Sequence, residues 1–194
     1  MHLRAEGVWQ RENDARTGML SGIRFRDVAK AEQTEIHRFV HRCAQDLAEF
    51  LCEHSELSGL TIDDALDIAF CTRMADYPGG QVVFSQNSIG VRGDSLYVVL
   101  QGGVNFEARV GTSRPIPLRQ IGRGGVFAGT PFTSTCPHIE SAVTSAPTTL
   151  LEIDRYTFRY LEQTRPGVAG EISKSLLASR SAQIEALVRR IADA

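Results

Sequence analysis

The sequence lacks several features that mark common classes of protein. None of its four cysteines stands in a Cys-x-x-Cys pair. No apolar run approaches the about 20 residues that a membrane-spanning helix needs, and the polar N-terminus has no apolar segment typical of a secretory signal. We therefore expect a cytoplasmic protein that does not insert into a membrane. Its thiols are expected to be reduced and mostly buried, and they belong to Cys43, Cys52, Cys71 and Cys136.

Charge of one sign is not in excess either. The 21 Lys and Arg residues and the 23 Asp and Glu residues give a formal net charge of −2. Both signs are scattered along the chain, so no basic stripe is available for the phosphates of nucleic acid or for anionic lipid. We expect no nucleic-acid partner.

The residues that catalysis or metal binding requires are sparse. Only His138 of the five histidines lies in the predicted β region, whereas a metal site on a β-barrel needs several histidines and an acid. His37 and His41 share a helix face, but no third ligand is evident. Nothing orients His138 toward Cys136 as a catalytic base, and the glycine-rich segment 122–129 has neither the Walker lysine nor a βαβ setting. We expect no metal site and no enzymatic activity.

The first half of the chain is predicted to be largely helical. Residues 1–24 show no hydrophobic period and are expected to form a loose arm. Residues 25–58 carry apolar side chains every three or four positions, which predicts a helical extension. Thr61 is a predicted N-cap for a short helix over about 62–74. The inward face of that helix is expected to consist of Ile62, Leu66, Ala69, Phe70 and Met74.

From residue 78 onward the hydrophobic period changes to that of β-strands. Residues 95–100 form an unbroken apolar run, typical of a strand buried on both faces, and residues 104–110 alternate with one apolar face. Further strands are predicted over 81–84, 116–121, 141–145 and 149–154. Short antiparallel strands at this spacing predict a β-roll, that is, a jelly roll or double-stranded β-helix, over about 78–155.

Helical periodicity returns over residues 155–192. The chain therefore predicts an α+β fold, in which an antiparallel β-roll is flanked by N-terminal helices and a C-terminal helix, with one domain over 59–194. The apolar stripes of the N- and C-terminal helices suit packing on the roll or against a second copy of the chain. We expect the partner to be another protein, or self-association through these helices.

Four motifs follow one another in a fixed order along this chain. They are Gly-Gln-Val-Val-Phe at 80–84, Gly-Asp-Ser-Leu-Tyr-Val-Val-Leu at 93–100, a glycine-rich step with Gly124 and Phe127, and Leu-Leu-Glu-Ile-Asp at 150–154. Together they resemble the cyclic nucleotide-binding domain family, over about 60–170. The resemblance implies a regulatory signalling domain that binds a nucleotide such as cAMP. In transcription activators of this family a DNA reader follows the last helix, and none is expected before Ala194.

The resemblance also implies a phosphate-binding cassette. In the family a Phe-Gly-Glu step opens a short helix whose N-terminus faces the cyclic phosphate, and the glutamate binds the ribose 2′-hydroxyl. An arginine eight to ten residues later pairs with the phosphate, just before a strand of small residues. The corresponding ligand-binding positions of this sequence are Phe127, Ala128, Gly129, Thr130, His138, Ile139, Ser141 and Ala142.

Both charged side chains of that cassette are missing here. The glutamate position falls on Gly129 or Thr130 and the arginine position on His138 or Ile139, while Glu140 adds a negative charge beside the site. A charge-assisted hydrogen bond contributes about 1.5–3 kcal/mol, and ~1.4 kcal/mol is a tenfold change in affinity. Cyclic nucleotide binding is therefore predicted to be weakened by about 10²–10⁴-fold.

Three kinds of substitute for the missing groups remain open. An arginine from a neighbouring strand or turn could enter the pocket, although Arg114, Arg119 and Arg123 are all expected to face solvent. A protonated His138 could pair with a phosphate. Loop hydroxyls could hold an uncharged ligand, although turn capping is their expected role. These hydroxyls belong to Thr130, Thr133, Ser134 and Thr135.

The sequence thus predicts a non-catalytic regulatory or scaffolding module that acts through protein–protein contacts and needs no cofactor. Its pocket keeps the shape of a cyclic nucleotide site without the usual glutamate and arginine. The alternative is a small-ligand sensor that binds a cyclic nucleotide or a nucleoside-like ligand in the roll. In that case ligand binding would move the C-terminal helix over 168–192.

Overall fold

The computed structural model describes residues 4–12, 19–26, 30–89, 95–111, 114–134 and 136–192. The chain divides into two compact units, Met1–Gln45 and Asp46–Ala194, which are described separately. This division falls inside the first long helix, earlier than the boundary after residue 58 that the sequence suggested.

The first unit contains an antiparallel β-hairpin followed by the start of a helix. Strand β1 (Arg4–Glu12) pairs with strand β2 (Met19–Arg26), and helix α1 runs over Lys30–His54. The hairpin covers much of the segment expected to be a loose arm. Backbone pairing between two neighbouring strands does not require a periodic apolar pattern, so the sequence carried little signal for this hairpin.

The second unit is built on two four-stranded antiparallel sheets. The first sheet has the order β3-β10-β5-β8 and the second has the order β4-β9-β6-β7. The strands are β3 (Arg73–Tyr77), β4 (Val82–Phe84), β5 (Ser95–Gln101), β6 (Gly103–Ala108), β7 (Ile116–Gly122), β8 (Val126–Ala128), β9 (Ser141–Thr144) and β10 (Thr148–Asp154). The helices of this unit, besides the end of α1, are α2 (Ile62–Cys71), α3 (Thr130–Thr133), α4 (Arg155–Thr164) and α5 (Pro166–Ala192).

Strand β5 shows why its sequence is apolar without a break. Leu96 and Val98 point to a core shared with the helices, whereas Tyr97 and Val99 point into the space between the two sheets. Successive side chains of a strand face opposite sides, so a strand with a core on each side must be apolar throughout. The predicted burial of this strand on both faces and the predicted β-roll are confirmed.

The helices cover the outer face of the first sheet. The end of α1, α2, α4 and α5 contribute Leu51, Ile68, Leu161 and Ile172 to the core against that face, and all four are fully buried. Buried hydrophobic side chains of this size typically contribute about 1.5–3 kcal/mol each. The helices are therefore held by apolar packing on the sheet.

The predicted inward face of the short helix was partly wrong. The helix and its N-cap are confirmed, since the Thr61 hydroxyl accepts a hydrogen bond from the Asp64 N–H at 3.2 Å. Its buried residues are Ala65 and Ile68. The expected inward residues Ile62, Phe70 and Met74 are exposed instead. The helix ends at Cys71. Met74 therefore lies in β3, where side chains alternate between the two faces of the sheet and do not follow the helical stripe.

The thiols were expected to be mostly buried, and this was wrong. Cys43, Cys71 and Cys136 are exposed, and only Cys52 is half-buried. Burial raises the pKa of the Cys52 thiol, and the nearby carboxylates of Glu53 and Asp64 add to this effect.

In the part of the chain that the structure describes, none of the helices is sufficiently long and apolar to cross a bilayer.

Gly124 fixes the junction between the end of α1 and the roll. Its N–H donates to the Val99 carbonyl at 2.8 Å, and its carbonyl accepts from the Glu56 N–H at 2.9 Å. Its φ is +86°, and a Cβ atom there would lie 2.1 Å from the His54 carbonyl oxygen. Only glycine fits this position without strain.

Replacing Gly124 by Ala is expected to lower the free energy of unfolding by more than about 2 kcal/mol, because left-handed backbone strain adds to the clash with His54. Urea unfolding measures this change. Gly122→Ala is the matched control, since nothing lies within 4 Å of its Cβ position, and its effect should stay within about 0.5 kcal/mol. Equal effects of the two substitutions would contradict this account of the junction.

Candidate functional site

The cassette, here residues 127–142, runs from β8 through α3 into β9. Phe127 enters the roll from β8 and is buried there. Its ring stacks on Tyr97 with centroids 5.0 Å apart and meets the Phe106 ring edge-on at 5.2 Å. Such arrangements are favourable for aromatic pairs beyond the area that they bury. The predicted ligand-binding aromatic is therefore part of the packed interior.

His138 lies in the same interior. Its imidazole stacks on Phe84 with centroids 4.2 Å apart and an interplanar angle of 13°, and the residue is only 1% exposed. Its backbone carbonyl accepts from the Asn87 N–H at 2.8 Å. Five rings of this interior contact one another, and we call them the aromatic cluster: Phe84, Tyr97, Phe106, Phe127 and His138. Burial raises the pKa of the Tyr97 hydroxyl above its usual value, and the nearby Glu152 carboxylate adds to this effect.

A hydrogen bond between Thr130 and Ile139 closes the loop in the middle of the cassette. Gly129 is the N-cap of α3 and has an extended backbone with φ −68° and ψ 158°. The Thr130 hydroxyl accepts a hydrogen bond from the Ile139 N–H at 3.3 Å, which joins the two ends of the loop. The Ile139 side chain is exposed. Pro131, in the first turn of α3, has no backbone N–H to offer an anion.

Among the loop hydroxyls, that of Ser134 caps a turn. The Ser134 hydroxyl donates to the Thr130 carbonyl at 3.2 Å and accepts from the Cys136 N–H at 3.2 Å, which is the predicted capping role. The side chain of Thr133 and all of Thr135 lie outside the described residues.

The last predicted ligand positions begin β9. The Ser141 hydroxyl accepts from the Gln86 N–H at 2.9 Å and so helps to pair β9 with the chain beyond β4. Ala142 is fully buried, and its register partners are Phe84 and Phe106. Its small side chain leaves room for the rings of the aromatic cluster.

Glu140 directly precedes β9 and is the one acidic residue in the sequence of the cassette. It is only 2% exposed. Its Oε1 accepts from Arg119 Nη2 and from Arg180 Nη1, each at 3.0 Å, and its Oε2 accepts from Gln183 Nε2 at 3.1 Å. A buried carboxylate is tolerated when it is paired and hydrogen-bonded, and both oxygens meet that condition here.

The prediction that the three candidate arginines all face solvent was wrong for Arg119. Arg114 and Arg123 are exposed, but the Arg119 side chain is only 14% exposed. Its guanidinium lies 3.9 Å from the centre of the Phe106 ring, which is close enough for a cation–π interaction. Burial lowers the pKa of Arg119, and the attraction of Glu140 opposes that shift.

The second cation comes from α5. Arg180 uses Nη1 for Glu140 and donates from Nη2 to the Ala128 carbonyl at 2.8 Å. It also donates from Nη1 to Gln183 Oε1 at 3.0 Å. The helix is thereby linked to both ends of the cassette, namely β8 and the residue before β9.

Sequence reasoning missed the roles of Arg180 and Gln183, although α5 contained a signal. The buried positions Val168, Ile172 and Leu176 follow one face of this helix. Continued by three and four residues, the same face reaches Arg180 and Gln183, where polar side chains take the place of apolar ones. Polar residues that continue a buried stripe indicate polar partners on the surface that the helix covers.

The structure thus separates the predicted site residues. Phe127, His138 and Ala142 are buried inside the roll, whereas Gly129, Thr130 and Ile139 belong to the loop. Ala128 belongs to the core on the helix side, and Ser141 begins β9. Among the described residues, no three His, Cys, Asp or Glu side chains come together as metal ligands would. Arg119 and Arg180 converge on one oxyanion, which is the carboxylate of Glu140.

Comparison with known proteins agrees with this architecture. Residues 75–165 match the family model of the cyclic nucleotide-binding domain. The chain therefore has the fold of a cyclic nucleotide-binding domain. The resemblance predicted from the motifs and the predicted α+β fold are both confirmed. A search of curated protein sequences finds no significant match.

Solved structures show the same fold. The chain is similar to a cyclic nucleotide-binding domain from Methylobacillus flagellatus KT, at 15% identity and a TM-score of 0.63, over 81% of this chain and 85% of that one. It is similar to the Thermus thermophilus catabolite activator protein, at 25% identity and a TM-score of 0.59, over 71% of this chain and 63% of that one. The regulatory subunit of a cAMP-independent protein kinase A from Trypanosoma cruzi, bound to guanosine, is 17% identical with a TM-score of 0.58. That match covers 70% of this chain and 46% of the kinase subunit.

Replacing Glu140 by Ala is expected to lower the free energy of unfolding by about 3–5 kcal/mol, because a buried arginine then loses its counter-charge. Chemical denaturation measures the change. The exposed Glu162 of α4 provides the control, and Glu162→Ala should change stability by less than about 0.5 kcal/mol. A wild-type stability for Glu140→Ala would show that the carboxylate contributes nothing to the fold.

Proposed function

We propose that this protein is a non-catalytic regulatory module with a cyclic nucleotide-binding domain fold, which acts through contact with another protein. In this proposal the domain does not respond to ordinary cyclic nucleotides. Regulatory proteins that share the fold support it, among them the kinase regulatory subunit from Trypanosoma cruzi and the c-di-GMP-responsive global regulator CLP from Xanthomonas campestris.

The buried Glu140 carries this proposal. It is the residue directly before the small-residue strand β9, and it follows His138 and Ile139, where the resemblance places the phosphate-binding arginine. An acid beside this position adds a negative charge where a phosphate needs a positive one. The donors of Arg119 and Arg180 already point at Glu140, so a nucleotide phosphate would have to displace a carboxylate that has three hydrogen bonds.

The interior of the roll supports the same conclusion. The rings of Phe127 and His138 lie within the aromatic cluster, packed on Tyr97 and Phe84. A ligand that entered the roll would have to separate these rings. The position of the ribose-binding glutamate holds Gly129 or Thr130, and Pro131 removes one N–H donor from the first turn of α3.

Calorimetric titration with cAMP and with cGMP tests the proposal. The expected dissociation constants are weaker than about 1 mM, which corresponds to less than about 4.1 kcal/mol of binding free energy. The regulatory domain of Toxoplasma gondii protein kinase A, solved with cAMP, is a suitable positive control. Micromolar binding of either nucleotide by this protein would overturn the proposal.

A second candidate function is the sensing of a nucleoside-like ligand. It is favoured because an uncharged ligand needs no phosphate-binding arginine, and because the cAMP-independent Trypanosoma cruzi subunit holds guanosine. In this chain the hydroxyls of Thr130 and Ser141 are cassette groups that could form hydrogen bonds to such a ligand. Guanosine at 100 times its dissociation constant would add about 2.7 kcal/mol of stability, so a panel of nucleosides without any thermal shift would exclude this candidate.

The surface for a protein partner is proposed to include the far face of α5. Three apolar side chains are exposed there at helical spacing, namely Leu177, Ile184 and Val188. Exposed apolar residues aligned on one helix face are typical of helix-mediated association. Phe39 and Val40 of α1 are also exposed, which supports the N-terminal helix as a second contact region.

Light scattering at high protein concentration tests association through α5. If copies of the chain associate there, the wild type should be dimeric and Ile184→Glu/Val188→Glu should be monomeric, because two charges would enter an apolar interface. Lys174→Glu, an exposed change on the same helix, serves as the control and should leave the dimer intact. A wild type that stays monomeric at every concentration would exclude self-association.

A further inference from the structure

We propose that the Glu140 carboxylate is a built-in anionic ligand, which fastens the C-terminal half of α5 to the β-roll without any nucleotide. The inference deepens the proposed function, on which it rests, because it explains how the helix stays in place when no nucleotide binds. It also assigns a masked oxyanion site to the space between Arg119 and Arg180.

The first observation is how completely the carboxylate is held. Glu140 is 2% exposed, and its two oxygens receive three side-chain hydrogen bonds of 3.0–3.1 Å from Arg119, Arg180 and Gln183. Hydrogen bonds between charged partners are stronger than neutral ones, and their strength increases where water is excluded. The carboxylate is therefore bound in the way that a protein binds an anionic ligand.

The second observation is the number of elements that meet at this group. Glu140 precedes β9, Arg119 lies in β7, and Arg180 lies in α5. Arg180 adds a bond to the Ala128 carbonyl of β8. Glu140 and Arg180 together thus join a helix to three strands of the roll, which a surface ion pair between neighbours does not do.

The third observation is where the anchoring of α5 ends. Among the described side chains of this helix, the last buried apolar one is Leu176, and Leu187 is half-buried. After Leu176 the helix makes polar contacts with the roll, since the Ser179 hydroxyl donates to the Val126 carbonyl at 3.3 Å and Arg180 and Gln183 bind Glu140. Beyond Gln183 the residues Ile184 and Val188 are exposed. The position of the C-terminal half therefore depends on Glu140.

The chemistry of the site suits a small tetrahedral oxyanion. Two guanidinium groups and an amide N–H converge on one point, and guanidinium groups bind phosphate and sulfate oxygens as they bind carboxylates. Removing the Glu140 side chain would leave these donors around a vacated space. An oxyanion could enter that space, whereas the wild-type carboxylate excludes it.

Glu152 offers a matched comparison within the same unit. Its carboxylate is also buried and binds Arg73 and the Tyr77 hydroxyl. The Arg73 side chain is 69% exposed, and both partners come from β3, the strand beside Glu152 in one sheet. Glu152 therefore shares burial and an arginine partner with Glu140, but it links no helix to the roll.

The test compares the binding of inorganic phosphate by wild type, Glu140→Ala and Glu152→Ala, by calorimetry and by thermal shift at constant ionic strength. Phosphate is expected to bind Glu140→Ala at least about tenfold more tightly than the other two proteins. The double variant Arg119→Ala/Glu140→Ala should lose that gain. Equal phosphate affinities of all three proteins would overturn the inference, and so would a Glu140→Ala protein that is unfolded both without and with phosphate.

Hydrogen exchange in the otherwise intact chain provides a second, independent measurement. In Arg180→Ala the amides of residues 181–189 are expected to exchange at least about tenfold faster than in wild type, while those of residues 168–176 keep their rates. Lys174→Ala, also on α5, should change neither segment. Unchanged exchange over 181–189 in Arg180→Ala would overturn the inference.

The two proposals fail by different results. Micromolar binding of cAMP by the wild type would overturn the proposed function. Phosphate that binds wild type and Glu140→Ala equally would overturn the inference drawn from Glu140, whatever the result with cAMP.

Discussion

The central interaction of this domain is the pairing of one buried carboxylate with two guanidinium groups. A charge removed from water is unfavourable by several kcal/mol unless partners replace its hydration. Glu140 has those partners, but each comes from a different element, Arg119 from β7 and Arg180 from α5. The roll, the cassette and the last helix are therefore coupled, because the loss of either arginine would leave the buried carboxylate with fewer partners.

The strand that opens the cassette serves two cores at once. Phe127 of β8 enters the aromatic cluster, while its neighbours Val126 and Ala128 face the helices, and the Ala128 carbonyl binds Arg180. The alternation of side chains along a strand produces both contacts from three residues. The rings of the aromatic cluster pack on one another inside the roll, and the acid Glu140 follows the position of the phosphate arginine. Both features support the proposal that the domain acts without an ordinary cyclic nucleotide.

Much of the fold could be predicted because its signals are local. The unbroken apolar run at 95–100 and the alternation at 104–110 each reflect a period that the sequence displays directly. The direction of Arg119 could not be predicted in this way. It depends on the register that places Arg119 opposite Phe106, so that the guanidinium lies over that ring. The contact of Arg180 with Glu140 joins residues 40 positions apart, and no local pattern encodes it. The hairpin in the first unit is local along the chain, but it was also missed. Its strands are defined by backbone pairing, which leaves no side-chain period in the sequence.

The most direct test of the central claim is a double-mutant cycle on Glu140 and Arg180. Stability is measured for wild type, Glu140→Ala, Arg180→Ala and the double variant. If the carboxylate holds α5 through this arginine, the two substitutions should be non-additive, with a coupling free energy of about 1–3 kcal/mol. Additive effects, with a coupling within about 0.3 kcal/mol of zero, would show that the two side chains are neighbours without an energetic link.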